Sequence, residues 1–482
     1  MKKLLSVVLA IALALTAFSA FAEETGNTPP GDPPGEPPEG FDGGNPPEPP
    51  EGFDGSNPPE PPDGGFGGGT PPGARSADVT YTAATEINGD TSSRSRIDET
   101  YTSETADENA LLLSQAGITL ENPTVFKTGD SDGGDNCNFY GLNAAVLIKD
   151  GADVVITGGT VESSASGANG VFVYGGNGGR NGAVGDGTTL HISDTVITTA
   201  GDGSGGIMTT GGGVTYAENL TVTTSGRSSA PIRTDRGGGT VVVDGGTYTS
   251  NGLGSPAIYS TADITVKNAT LVSNLSEGVC IEGMNSITLE NCDLTANNTQ
   301  RNSNATFLDT IMIYQSMSGD ADSGTSSFTM TGGSLTSLSG HMFHVTNTHA
   351  VITLSGVNLV NEGSDVLLSV CDDGWNGASN IAELVADGQV LSGTILAGDN
   401  STLTLTLQNG SAFEGCISGE IVNAKGEQVS AETGTVNVSL DESSTWTLTA
   451  DTYITSFSGS PDSIVSNGYT LFVNGTALAG TK

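Results

Sequence analysis

Basic side chains are scarce in this chain: 15 Lys and Arg stand against 55 Asp and Glu, for a formal net charge of −40 over 482 residues. Nucleic acid, whose phosphates demand cationic surface, is excluded as a partner, and so is adsorption to anionic membrane. An acidic surface attracts divalent cations, but it also keeps a long β-protein from aggregating, which is the reading preferred here. Cysteine is equally sparse. Cys137, Cys280, Cys292, Cys371 and Cys416 form an odd, scattered set without a CxxC pair, which speaks against a disulfide framework and a structural zinc site and leaves them as small buried hydrophobes. Helix-forming stretches are few, ENALLLSQA at Glu108 to Ala116 being the clearest.

Only one long apolar run is present, and it lies at the start. Lys2 and Lys3 precede it, and Ala20-Phe21-Ala22 closes it before Glu23, the layout of a secretory signal spanning 1–22 rather than of a membrane anchor. No Cys near the junction supports lipidation and no hydrophobic tail closes the C-terminus. The expectation is a bacterial protein that is secreted or held at the cell surface by what it binds, without membrane insertion. Residues 23–77 form a Pro/Gly-rich arm in which PPEGFDGGNPPE at Pro37 to Glu48 recurs as PPEGFDGSNPPE at Pro49 to Glu60. So little apolar surface cannot offset ordering entropy, so the arm reads as a disordered linker with polyproline II character. Phe41, Phe53 and Phe66 recur along it and could dock a partner, with a plain spacer the preferred reading.

Beyond Asp78 short alternating apolar runs bounded by Gly or Asn read as β-strands. Seven segments share one pattern: an apolar residue, another two places on, and a third five places after that. The triplets are Val154, Ile156, Val161; Leu190, Ile192, Ile197; Val241, Val243, Tyr248; Ile264, Val266, Leu271; Ile287, Leu289, Leu294; Phe328, Met330, Leu335; and Ile352, Leu354, Leu359. Two places after each middle residue stands Gly158, Asp194, Gly245, Asn268, Asn291, Gly332 or Gly356, types that accept a left-handed backbone. An eighth copy, VTYAENLTVTTS at Val214 to Ser225, fits with one residue of slippage. The copies step by 36, 25, 26, 23, 23, 41 and 24 residues. About 23 to 26 residues suits three strands and three turns per coil of a parallel β-helix, the two long steps being a coil plus an insertion. An antiparallel sandwich would not return the same corner at this interval. The fold class is therefore all-β, a single right-handed parallel β-helix over 78–390 with an N-terminal cap, followed by C-terminal β-rich coils and a cap over 391–482. Stacking should place like on like, with Asn268 and Asn291 bonding along the corner ladder.

The repeated corner, with APIRTDRGGGTVVVDGGTYTSNG and SPAIYSTADITV, resembles the secreted bacterial right-handed parallel β-helix proteins, pectate-lyase-like solenoids often described as adhesin-like. The resemblance covers roughly Phe139 to Val360. It implies the fold, and for function it spans surface binding proteins, autotransporter passengers, polysaccharide lyases and glycoside hydrolases. Similarity to pectate lyases would imply an Arg base, with calcium held by carboxylates.

Arg233, Asp235 and Arg236 form the densest charged segment in a chain so poor in base. A surface ladder pairing these Arg with Glu277, Glu282 or Glu290 of later coils is the bland reading, ahead of a sugar subsite or a catalytic set drawn from Arg233, Asp235, Arg236, Glu277 and Glu282. Paired carboxylates for glycoside hydrolysis cannot be assigned where acids are so abundant. Asp130, Asp132 and Asp135 mark one Asp-rich turn that could hold calcium; Ser318 to Gly324 and Cys371 to Gly377 are others, and solvated turns are preferred for all three. Trp375 could stack on a sugar ring or plug the space beside an insertion. His341 and His344 have opposite strand parity and should face different ways, so with His349 they read as structural. Ice binding would need a regular Thr array, and the exposed Thr are too irregular. The leading expectation is a monomeric, non-enzymatic, adhesin-like protein needing no cofactor, which binds an extracellular polysaccharide or surface protein along the solenoid flank. The alternative is a polysaccharide lyase or glycoside hydrolase near Arg233 to Arg236.

Overall fold

The computed structural model describes residues 79–178, 184–316, 318–375 and 380–478; the signal segment 1–22 and the arm 23–77 lie outside them. Each coil lays down three short strands, and each strand pairs in parallel with its counterpart one coil later. Sheets of 13, 14 and 10 strands result, in which neighbours are three elements apart along most of the chain. This is a parallel β-helix. From Val390 onward a four-stranded sheet takes over the place of the third sheet.

The triplets build the core. Val154, Ile156 and Val161 are at most 1% exposed and sit in register under Leu190, Ile192 and Ile197. Ile264 stacks on Ile287 and Leu271 on Leu294. Burial of branched side chains against their own kind on the next coil supplies the main stabilisation, because each coil alone has no second layer to cover it.

The corners follow. Asn122, Gly158, Asp194, Asn219, Gly245, Asn268, Asn291, Gly332 and Gly356 all have φ between +52° and +72°. The turned-out amides continue the ladder: Gly245 N donates to Lys267 O at 2.8 Å, and Asn268 N to Glu290 O at 2.9 Å. The side chains bond differently from the expected Asn–Asn ladder. Asn268 Nδ2 donates to Asp244 Oδ1 at 2.7 Å, and Asn219 Nδ2 to Asp194 Oδ1 at 2.7 Å. Gly245 offers no side chain to Asn268, which reaches the preceding Asp instead.

Three local expectations change. Glu108–Ser114 is a strand, not a helix. Leu111 and Leu113 belong to the main core, whereas Leu112 joins a second apolar cluster with Phe139, Tyr140 and Phe172, so burial on both faces produces the unbroken apolar run. The eighth copy shows no slippage: Thr215, Ala217 and Val222 are buried while Tyr216 is 43% exposed. Thr215 takes the first inward place because its hydroxyl bonds Thr209 Oγ1 at 2.7 Å. Residues 82–127, read as capping material, already contain two coils of three strands each. On the third sheet Thr100, Thr124 and Thr160 align, as do Thr221, Thr247 and Thr270, but Val196 and Asp293 interrupt the column.

The residue after the corner is the less tolerant one. A Cβ on Gly246, at φ +92°, would lie 2.3 Å from Leu220 O. Gly246→Ala should therefore lose at least about 2 kcal/mol in urea unfolding, whereas Asn268→Gly, which keeps the corner conformation, should lose about 1 kcal/mol. Equal losses would show that the residue after the corner is no more closely seated against the preceding coil than the corner itself.

Candidate functional site

The first sheet differs from the other two. The strands Val279–Glu282 and Asp309–Tyr314 are buried at every residue. Ile258, Ile281, Ile311 and Ile313 fill the core, and Arg233, Tyr259, Cys280, Met312 and His344 form one outward column, each paired with the next. Stretches 297–308, 318–324 and 371–375, which the regular coil does not require, cover this column. The first accounts for much of the 41-residue step. Between them and the sheet is a cavity of about 240 Å³, whose lining includes Arg233, Tyr259, Glu277, Met312, Tyr314 and Trp375.

Arg233 and Arg236 are each only 9% exposed, so they are not the surface ladder expected from the sequence. Arg233 Nη2 donates to Asp235 Oδ2 at 2.9 Å, and Nη1 to Ser228 O at 3.0 Å and Asn138 Oδ1 at 3.3 Å. Arg236 Nε donates to Asp320 Oδ1 at 3.0 Å, and its guanidinium lies 4.0 Å over the Phe139 ring. The stretch 318–324 carries Asp320 there, and Glu290 instead pairs with Lys267 at 2.9 Å on the second sheet. Burial lifts the Asp235 carboxyl to about 6, against the pull of Arg233.

Glu282 is enclosed by hydroxyls. Tyr259 and Tyr314 donate to Oε2 at 2.6 and 3.1 Å, and Ser318 and Ser316 donate to Oε1. Burial, reinforced by the Glu282 charge, pushes both phenols well above their ordinary range, so they remain donors. Glu277, 7% exposed, faces the cavity and accepts from Ser276 Oγ. Asp309, 1% exposed, is close enough for its carboxyl to be driven well up by burial, then by Glu277 and Asp373; burial also raises Glu277. Asp309 Oδ1 is buried without a hydrogen-bond partner.

Asp373 ties two covering segments together. Its Oδ1 accepts from Thr306 N at 2.7 Å and Thr306 Oγ1 at 2.6 Å, and His344 Nε2 stands 3.4 Å from Oδ2. Burial acts upward on this carboxyl, but His344 and the hydrogen bonds prevail and hold it below its ordinary value. His341 and His344 do not face different ways, because the Nδ1 of each bonds Ser369 Oγ, at 2.9 and 2.8 Å. Met342 and Phe343 both enter the core, which breaks the alternation between the two histidines. His349 pairs with Glu383 at 2.8 Å.

Of the residues singled out from sequence, Arg233, Glu277 and Trp375 meet at the cavity, while Asp235 and Glu282 lie behind its wall. Arg236 is held apart by Asp320. Asp130, Asp132 and Asp135 belong to the stretch entering the helix Asp135–Tyr140, where Asp130 Oδ1 accepts Ser166 N at 2.8 Å. Among the described residues no group of three or more His, Cys, Asp or Glu is placed to hold a metal. All five cysteines are free, and four are buried. Sequence reasoning missed Tyr259, Tyr314 and Asp309, and met Asp320 and Asp373 only as members of Asp-rich turns read as solvated. The signal was present in VCIE and DTIMIY, strands without polar alternation, whose outer face must therefore be covered.

No protein-family model, curated protein or solved structure matches this chain. Fold and geometry alone define the class: a parallel β-helix protein carrying an aromatic-walled pocket on the outer face of one sheet.

Burial, with His344 adding, holds the His341 imidazole down at about 4. An unfolded-state value near 6.5 makes its neutral form the folded one, so stability from this group is complete above about pH 6.5 and is lost as pH falls toward 4, by up to about 3 kcal/mol. In urea unfolding, His341→Gln should flatten the stability profile across that window. An unchanged profile would remove His341 from the account.

Proposed function

We propose that this is a secreted or cell-surface, adhesin-like β-helix protein that binds an extracellular glycan in the pocket of the first sheet. The observation that carries the reading is the aromatic wall: Tyr259, Tyr314 and Trp375 line one small cavity, with the Tyr314 and Trp375 rings 4.9 Å apart and tilted by 48°. Such faces suit the C–H surface of a sugar ring, and Asn302 and Ser303 supply polar groups for its hydroxyls. At about 240 Å³ the cavity is below the roughly 300 to 1,000 Å³ of ordinary small-molecule sites. It suits a single sugar residue, a chain end or a branch. The signal-like first 22 residues and the Pro-rich arm support an extracellular location.

A lyase or hydrolase centred on Arg233 to Arg236 is the less favoured reading. Arg233 is committed to Asp235 and Arg236 to Asp320, so neither is free to act as a base, and Glu282 is saturated by four hydroxyl donors.

On a glycan array followed by calorimetry, the full chain should bind a defined sugar saturably and without turnover. Trp375→Ala should weaken that binding about tenfold or more, the value of one stacked aromatic face. Undiminished binding by Trp375→Ala would place the ligand elsewhere. Turnover abolished by Arg233→Ala would reverse the choice between binding protein and enzyme.

A further inference from the structure

We propose that the pocket is specific for an organic ammonium group, carried by an amino sugar whose nitrogen is not acylated; the inference rests on the glycan-binding reading and narrows it. The first ground is the wall. Tyr259, Tyr314 and Trp375, with the sulfurs of Cys280 and Met312, present polarisable, electron-rich surface around one small space, the environment in which a cation gains most from ring faces.

The second ground is an accounting of charge. Four carboxyls stand in or behind the wall. Asp235 is matched by Arg233, and Glu282 by the hydroxyls of Tyr259, Tyr314, Ser316 and Ser318. Glu277 and Asp309 have no cation among the described residues, and Asp309 Oδ1 has no hydrogen-bond partner. An acid on the lining of an aromatic cavity, with a second acid buried behind it, is a poor setting for a uronate, whose carboxylate would meet Glu277 and find Arg233 already engaged. A neutral sugar leaves the acids unmatched. An ammonium nitrogen answers both features at once, pairing with the Glu277 carboxylate on the lining, with Asp309 buried behind it, while its carbon skeleton lies on the rings.

Such binding carries a proton signature. Burial raises both carboxyls, and for Asp309 the charges of Glu277 and Asp373 add to the rise, so a cation arriving beside Glu277 favours ionisation and expels a proton. Arg233, Tyr259, Cys280, Glu282, Tyr314, His341, His344 and Asp373 are the other titratable groups around the pair; the two phenols and the Cys280 thiol are held neutral by burial.

The test is calorimetry on the full chain with D-glucosamine, N-acetyl-D-glucosamine, D-glucuronate and choline, in two buffers of different ionisation enthalpy and below the pKa of the amine. Glucosamine should bind about tenfold or more tighter than its N-acetyl form, the worth of one charge-assisted contact. Its binding should release protons and strengthen as pH rises. Glu277→Gln, which keeps the shape, should erase the preference while retaining the weaker N-acetylglucosamine binding, which also shows that the variant is folded. Equal binding of the two sugars, or glucuronate preferred, overturns the ammonium assignment and leaves the glycan reading standing. Choline bound without glucosamine overturns the sugar as the source of the ammonium. Loss of all sugar binding at the pocket overturns both readings.

Discussion

The left-handed corner between the second and third strands is the constraint on which the rest of the molecule depends. One residue at φ near +60° resets which side of the chain faces inward, so that Val266 and Leu271, five positions apart, both enter the core. Without the reset, the third strand would turn its apolar side to water. Because every corner amide named from Asn122 to Gly332 bonds a carbonyl of the following coil, the turn and the stacking are one device: geometry within a coil and registration between coils are enforced by the same few atoms.

This explains why the column was legible from the sequence and the pocket only partly so. The seven triplets are repeated, and a pattern that recurs at a fixed interval is legible without knowing what it packs against. Burial confirms those positions, with only Leu359 left partly exposed among them. Arg233 and Trp375 stood out because base and tryptophan are rare here, and rarity is visible in a sequence. Their partners were hidden for physical reasons. Asp309, Asp320 and Asp373 are three acids among 55 Asp and Glu, and only the path of the covering segments brings them to the outer column. Tyr259 occupies the same strand position as Arg233 and Cys280, a likeness that shows nothing of function until the outer face is known to be covered.

The two regions also differ in what holds them. The core is apolar and stacked. The covered face holds buried charge, and its order comes from fixed donors and acceptors: Asp235 with Arg233, Glu282 with two phenols, Asp373 with Thr306. Breaking one partner of such a pair leaves the other stranded in low dielectric, so these contacts specify one arrangement more than they add net stability. Glu277 and Asp309 are the exception within this face, and Glu277 lies on the lining of the cavity.

Arg233, Tyr259, Cys280 and Met312 contribute one wall residue each from four successive coils, so the wall is graduated in steps of roughly 4.8 Å, the distance between neighbouring strands. Loss or duplication of a whole coil by recombination within the repeat would shorten or lengthen the footprint by one such step and leave every other coil in phase. The length of this wall is thus a heritable quantity that changes in whole increments, without any redesign of the fold beneath it.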